Sequence, residues 1–506
     1  MPYLSLMFSD ENIRKSFYMK KNHMVSQDVI KDLAITHILS EIKKVTPDFP
    51  EDFLLFSPYD YDTLNLRREI AQELYDSSVV LDSFEEFAVD LHILQKYCRN
   101  MAYINNKDAK NHSFLRACVE YCNCLKRLAE ITKKAQSRVL RAIHDRAQTL
   151  FFEIENRIYI KATELFDCVN DMLSFSMRFD FVNNTVKIEE KVKAPASNRL
   201  SKLTDDLFGK KIDFTFSAVN NDQLSPFEEL LLGAMKVHSP NIFQELELFY
   251  EENKLLDFDK LINLREEILF FTGYIKFVKK LEDAGFVFSF SEITTDNICA
   301  HSIYDLSLAV RLGCADLIVT NDMEIQKGDI FVVTGSNQGG KTTFLRAFGQ
   351  CAFLASQGLP VPAENFNAPF FGLIATHFNR TEKVGKSRLE DEIDRIKVIL
   401  SSACDNCLVL VNECFVGARH GDAVVLSERL FEKLFAIGAT CGFVTHLFEL
   451  PMRDARLVSF VADISQDGME RRTYHISKRS PGGFAHARSI AIACGATYEQ
   501  LLAETQ

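Results

Sequence analysis

The decisive stretch is IFVVTGSNQGGKTTFLRAFGQCAFLA, residues 330–355. Its first five residues are β-branched or aromatic, which fits a buried strand. Gly335, Ser336, Asn337, Gln338, Gly339, Gly340, Lys341 and Thr342 then match GxxxxGK[ST], with Thr343 next and a Leu-, Phe- and Ala-rich helical pattern after it. Glycines let the backbone curl so that successive N–H groups face inward toward phosphate oxygens. The helix that follows begins at those phosphates and adds a partial positive charge. Lys341 can neutralise the outer phosphates, and the Thr342 hydroxyl can ligate Mg²⁺. A strand before and a helix after are the context this loop requires. Many enzymes share it, so the loop implies nucleotide binding and leaves the task open.

About seventy residues on, the apolar run CLVLV at 407–411 ends in Asn412-Glu413. An apolar strand that delivers an acid beside a phosphate loop is a Walker B arrangement, and Glu413 can orient or deprotonate an attacking water. The next such run, CGFVTH at 441–446, ends in His446, from where an imidazole can reach a γ-phosphate. Between loop and Walker B lies Gly385-Lys386-Ser387-Arg388-Leu389-Glu390-Asp391-Glu392, opening a helix. Two readings of it stand side by side. It is an ordinary N-cap serine with acidic first-turn residues, or a Gly/Ser segment that offers donors to the nucleotide of a second subunit.

In this order the segments resemble the MutS family of mismatch-repair ATPases. The family's phosphate loop reads approximately TGPNMGGKST, against TGSNQGGKTT here, with Asn337 at the family's asparagine. Its G-x-x-VPA segment corresponds to Gly358-Leu-Pro-Val361-Pro362-Ala363. Its signature GRSTFMVEM corresponds to GKSRLEDEI, keeping Gly385, Ser387 and Glu392. Its ATHYFEL corresponds to VTHLFEL, keeping Thr445, His446, Phe448, Glu449 and Leu450. Asp422 falls at an acid of the family's subunit-crossing loop. The resemblance covers about 180 residues and implies ATP and Mg²⁺ as ligands, with Thr342 and Asn412 facing the metal. It also implies DNA as partner and a homodimer in which Gly385 and Ser387 serve the partner's nucleotide.

Two departures bear on the task. The family's Walker B Asp-Glu is Asn412-Glu413 here. Asparagine keeps an acceptor oxygen but loses a charge-assisted contact to the metal, which costs on the order of 1–2 kcal/mol, or roughly tenfold in metal binding or rate. Asn412 therefore leaves slow turnover open. The family's mismatch-reading domain with its Phe-x-Glu wedge is also not expected. Phe249-Tyr250-Glu251 spells the triplet, but inside the apparently continuous helix ELELFYEENKL. A short, stand-alone form is the expectation.

Outside this region the pattern is helical. Val29, Ile30, Leu33, Ile38 and Ile42 recur near a helical turn, and stretches rich in Leu, Glu, Lys and Arg without Gly or Pro predict helices over about 62–75, 84–104, 111–135 and 137–166. Lys126, Arg127, Lys133, Lys134, Arg138, Arg141, Arg146, Arg157 and Lys161 make 125–164 basic. With Glu130, Asp145, Glu153 and Glu155 beside them, they read as a solvated face rather than a DNA track. Alternating residues around Asn183-Asn184 predict a hairpin, KAPASNRLSK a loop, and Pro226 to Lys280 further helix broken near 254–258. FVFSF at 286–290 and LIVT at 317–320 are expected strands.

The chain has 506 residues, enough for two or three domains, with 47% hydrophobic and 25% charged residues and a net charge of −12. That balance argues against a basic coat for nucleic acid but allows a local basic groove. No window resembles a membrane span, and the start does not resemble a signal peptide, so a cytoplasmic protein is expected. The 13 cysteines are scattered, which fits reduced core thiols, and the CxxC pair Cys404 and Cys407 reads as accidental.

The expected architecture is therefore multidomain. A mostly α-helical core and lever region, 1–300, carries a possible hairpin arm near 175–205, and an α/β P-loop ATPase domain of the ABC type follows over 301–506. The expected function is ATP-dependent DNA binding of the MutS type. Structured DNA instead of mismatches, and a nucleotide-switched scaffold that hydrolyses little and binds a protein, remain open. The long helical region and His446 argue against a small-molecule kinase.

Overall fold

The computed structural model describes residues 4–19, 24–56, 60–172, 176–180, 185–189, 235–237, 239–378, 388–464 and 472–481. Gly385, Ser387, the loop at 193–202 and the helix start at Pro226 lie outside them. The chain divides into two compact units, each discontinuous in sequence: Met1–Ser5 with Ser78–Ile268, and Leu6–Ser77 with Leu269–Gln506. No helix among the described residues is long and apolar enough to cross a membrane.

The first unit is helical. Helices Ser78–Tyr103, Lys107–Thr132, Arg138–Ile154, Ile160–Met172 and Pro240–Asn253 follow the expected stretches closely, with a π turn at Glu155–Tyr159. Asn106 starts the second helix by accepting the Ala109 N–H at 3.1 Å. The buried face of that helix carries Leu115, Cys118, Cys122, Leu125 and Leu128. Phe114 packs edge-on against Tyr250 and Phe258. Phe249, fully covered, sits beside it, so the Phe249-Tyr250-Glu251 triplet belongs to a core and cannot act as a wedge. The expected hairpin is present as β1 (Ser176–Asp180) and β2 (Thr185–Glu189), antiparallel, with Asp180 opposite Thr185. Two members of the basic stretch pair with acids of the same unit. Arg127 bridges Asp90 and Glu86 at 2.7 Å each, and Lys161 meets Glu252 at 3.0 Å. These acids, Asp90, Glu86 and Glu252, are not among the four expected beside the stretch and come from neighbouring helices.

The second unit holds two sheets. A four-stranded sheet contains β3 (Glu292–Ile293), β4 (Asn297–Ile303), β5 (Asn321–Gln326) and β7 (Asn365–Ala368) in the order β3-β7-β4-β5. A six-stranded sheet contains β6 (Ile330–Thr334), β8 (Leu373–Phe378), β9 (Cys407–Asn412), β10 (Thr440–Val444), β11 (Leu457–Ile464) and β12 (Arg472–Lys478) in the order β12-β11-β6-β10-β9-β8. All of its neighbours are parallel except β11 and β12. Two expected strands are not formed. Of FVFSF only Ser289 makes an isolated bridge, to Val361. LIVT at 317–320 is a 3₁₀ turn and extended chain, and the regular strand starts at Asn321. Leu317 stays 63% exposed, so the run was apolar for a reason other than sheet burial.

The N-terminal helices Gln27–Asp32 and Ile35–Val45 break at Ala34, which is left-handed with φ 55°. Their five expected apolar residues are all buried. Asp32 accepts the Thr376 hydroxyl at 2.8 Å and the Phe378 N–H at 3.1 Å, capping the outer edge of β8. Among the described residues the cysteines are free thiols, and Cys351 and Cys441 are buried as expected.

Candidate functional site

The site is built by strand register. Val333 of β6 pairs with Val444 of β10, and Val444 pairs with Asn412 of β9. Three parallel strands therefore end in one row, and the residues just beyond them emerge on the same edge. Those residues are the glycine turn after β6, Glu413 after β9 and His446 after β10. Crevices at the carboxyl ends of parallel strands are where open α/β sheets place ligands.

The turn has the backbone the sequence implied. Gly335, Gln338 and Gly340 have φ of 130°, 60° and 92°. A Cβ on Gly335 would lie 2.7 Å from Ala462 Cβ, so both conformation and space demand glycine there. Lys341 opens the helix Lys341–Ser356 and is only 4% exposed. Its ammonium donates to the carbonyls of Gly335 at 2.9 Å and Ser336 at 2.8 Å, which holds it inside the loop. Burial lowers its pKa, and the nearby Glu413 carboxylate opposes that shift. Ser336 and Gly339 close the turn with a bond from the Gly339 N–H to the Ser336 carbonyl at 3.2 Å.

Thr342 donates its hydroxyl to Asn412 Oδ1 at 2.9 Å, and Asn412 is 6% exposed. Both expected metal-facing groups are thus brought together as a pair of oxygens. The neighbouring turn is held against its own preference. Glu413 and Phe415 both sit at positive φ, 54° and 65°, a conformation that costs a non-glycine residue about 1–2 kcal/mol. The Glu413 N–H bonds to Val444 O at 2.9 Å, and the Phe415 N–H bonds to Glu392 Oε2 at 2.8 Å. Those bonds aim the Glu413 carboxylate at His446, whose Nε2 lies 3.0 Å from Oε1. Both side chains remain partly open, His446 at 40% and Glu413 at 30%.

Lys341, Thr342, Thr343, Gln338, Gly340 and Glu413 line one cleft of ≈ 440 Å³. Its other wall is apolar, with Leu308, Leu312, Leu317 and Val319, and Tyr474 beside Gly340. Here the misread LIVT run finds its place. A flat, uncharged base can rest on such a wall while a charged tail reaches the turn. Glu392 as the brace of the 413–415 turn, and Asp305 at the cleft edge, were also not singled out by the sequence. Asp305 is buried, caps the helix Leu306–Leu312 and pairs with Arg346 at 3.1 Å. The signal for Glu392 was its place in the family's signature, five residues after Ser387. A roomier cleft of ≈ 560 Å³ runs along β8 past Asp394 and Arg395, and none of the loop residues reaches it.

Comparison with known proteins points to the same region of the chain. The MutS domain V family matches residues 331–488. The DNA mismatch repair protein MutS of Thermus aquaticus is 37% identical over 134 residues, 26% of this chain and 16% of that protein. Its namesake in Lactococcus lactis subsp. cremoris is 31% identical over 158 residues, 30% of this chain and 19% of that protein. The similarity to these relatives thus spans less than a fifth of their own length. The domain V region holds the turn from Gly335 to Thr342 as well as Asn412, Glu413 and His446, and over that region the chain is similar to the MutS family.

Proposed function

We propose that this is an ATP-dependent DNA-binding protein of the MutS type, in which ATP binding and hydrolysis close a homodimer on mismatched or otherwise structured DNA. The observation that carries this reading is the convergence of Lys341, Thr342, Asn412, Glu413 and His446 on one edge of the parallel sheet. In this reading residues 301–506 hold the ABC-type P-loop ATPase, and the helical region over 1–300, with its hairpin near 175–205, acts as core and lever. The protein works in the cytoplasm, with DNA and a second copy of itself as partners.

The residues fit a nucleotide with Mg²⁺. The turn offers N–H groups and a buried ammonium, the Thr342 and Asn412 oxygens offer hard ligands of the kind Mg²⁺ takes, and the apolar wall suits a base. The ion supplies charge neutralisation for the leaving phosphates. Lys341 leaves its loop carbonyls for phosphate oxygens. Glu413, oriented by His446, accepts the proton of an attacking water. Gly385 and Ser387 of a second copy complete the site from across the dimer.

Salt-dependent binding to homoduplex, mismatched, branched and single-stranded DNA, with and without ATP and Mg²⁺, tests the proposal alongside sedimentation. ATP-dependent dimer closure and a steep salt slope are expected. A protein that stays monomeric and binds every DNA equally, with or without ATP, sinks it.

A second reading is a nucleotide-switched scaffold that hydrolyses little and binds a protein. It is favoured by the neutral Thr342–Asn412 pair where a charged acid would hold the metal. Steady-state turnover of Asn412→Asp separates the two. A roughly tenfold rise marks a damped hydrolase, whereas unchanged near-zero turnover favours the scaffold.

A further inference from the structure

Away from the nucleotide cleft, the face of the four-stranded sheet gathers a second set of reactive side chains. Cys299 and His301 stand two residues apart on β4 and therefore point to the same side. Glu324 of β5 is the direct cross-strand partner of Cys299, and opposed residues share a face. Cys299 Sγ lies 3.2 Å from His301 Nε2, and one donor atom each of Cys299, His301 and Glu324 lie within 4.8 Å of one another. Donors placed tetrahedrally around zinc are separated by about 3.5 Å. The Cys–His pair is near that spacing, and the exposed Glu324 side chain needs only a rotamer adjustment to meet it.

The surroundings match as well. His301 Nδ1 faces Asp322 Oδ1 at 3.7 Å, and that carboxylate is fixed by the Ser302 N–H at 2.8 Å. A carboxylate behind the free imidazole nitrogen is the arrangement that orients metal-binding histidines. β4 is paired on both sides, with β7 and β5, so two of the ligands stand on a fully bonded strand. The CxxC pair differs. Cys404 and Cys407 have their sulfurs 2.9 Å apart, but no histidine or acid joins them in such a cluster among the described residues.

We propose that Cys299, His301 and Glu324 bind one zinc-class divalent ion, with Asp322 positioning His301 and a fourth ligand position left for water. The thiolate and imidazole select zinc over Mg²⁺ or Ca²⁺. Binding releases the Cys299 thiol proton, so the ion meets a thiolate, a neutral imidazole and a carboxylate. The ion ties β4 to β5 just before Ile303, Tyr304 and Asp305, which line the nucleotide cleft. It therefore clamps one wall of that cleft without touching the phosphate loop.

The test is titration of the metal-free full-length protein with Co²⁺, followed by Zn²⁺ competition against a chromophoric chelator in excess Mg²⁺. One ion per chain is expected, with a thiolate-to-cobalt absorption band. Cys299→Ser should remove the band and weaken Zn²⁺ binding by more than about 100-fold, and Asp322→Asn should weaken it about tenfold. Glu324 is exposed, so Glu324→Gln leaves the fold intact and should still weaken binding at least about tenfold. The Cys404→Ser/Cys407→Ser double variant should bind as the parent does. The proposal is overturned if Zn²⁺ fails to bind against the chelator, if Glu324→Gln and Cys299→Ser leave binding unchanged, or if the double variant abolishes it.

Discussion

In the six-stranded sheet, β6, β9 and β10 are buried at every position, whereas in the four-stranded sheet β4 and β5 alternate between covered and open residues. Covered on both faces, a parallel strand can present chemistry only where it ends. An antiparallel strand with one open face can present it along its length. The same unit uses both plans. Lys341, Glu413 and His446 stand beyond the ends of strands, placed by a shared row. Cys299, His301 and Glu324 stand on a face, placed by period and cross-strand pairing. Strand-end groups depend on turns held in costly conformations, and face groups depend on register alone.

The comparison breaks first at Lys341. Removing a buried charge at the strand end costs on the order of 3 kcal/mol of binding. Lys341→Ala should therefore lower ATP affinity more than about 100-fold in a nucleotide titration, and full retention of binding would refute the assignment of the turn. Glu413→Gln keeps shape and removes the base. Turnover should fall by about 100-fold or more while ATP affinity stays within a few-fold, so unchanged hydrolysis would take Glu413 out of the chemistry.

Gly442→Ala probes the buried interior of the parallel plan. The new Cβ would lie 2.4 Å from Phe331 and 2.7 Å from Leu345, and overpacking of this kind costs about 1–3 kcal/mol. The denaturant midpoint should drop with the slope unchanged. The mildest effect concerns the tie between the two sheets. Asn321, at the start of β5, accepts the Ile476 N–H at 2.7 Å and donates to Tyr474 O at 3.3 Å, both in β12. Asn321→Ala should cost about 1 kcal/mol in the same assay, and a loss as large as that of Gly442→Ala would mean that the sheets depend on each other more than these two bonds allow.

Much of the candidate site could be read along the chain because its parts are local. The turn from Gly335 to Thr342 needs glycines at fixed places, and Asn412-Glu413 and His446 each come directly after an unbroken apolar run. The helices within 78–172 showed in stretches rich in Leu, Glu, Lys and Arg without Gly or Pro, and the break near 254–258 showed as well. LIVT misled because apolarity does not say what covers it. The run lines a cleft wall instead of joining a sheet. FVFSF misled in the same way. Phe249-Tyr250-Glu251 was correctly set aside, since its helical surroundings already implied the burial that Phe249 has.

By itself, the order of residues determined the glycine turn, the groups that follow the three strands and the resemblance to MutS, since each rests on backbone preferences within a few neighbours. The folded chain alone decided that Val333, Val444 and Asn412 share a row, that Asp32 seals the edge at Thr376 and Phe378, that Glu392 braces the 413–415 turn, and that Cys299 meets Glu324. These are pairings between residues far apart in sequence, and a strand that is apolar along its whole length does not say which residue of its neighbour stands opposite.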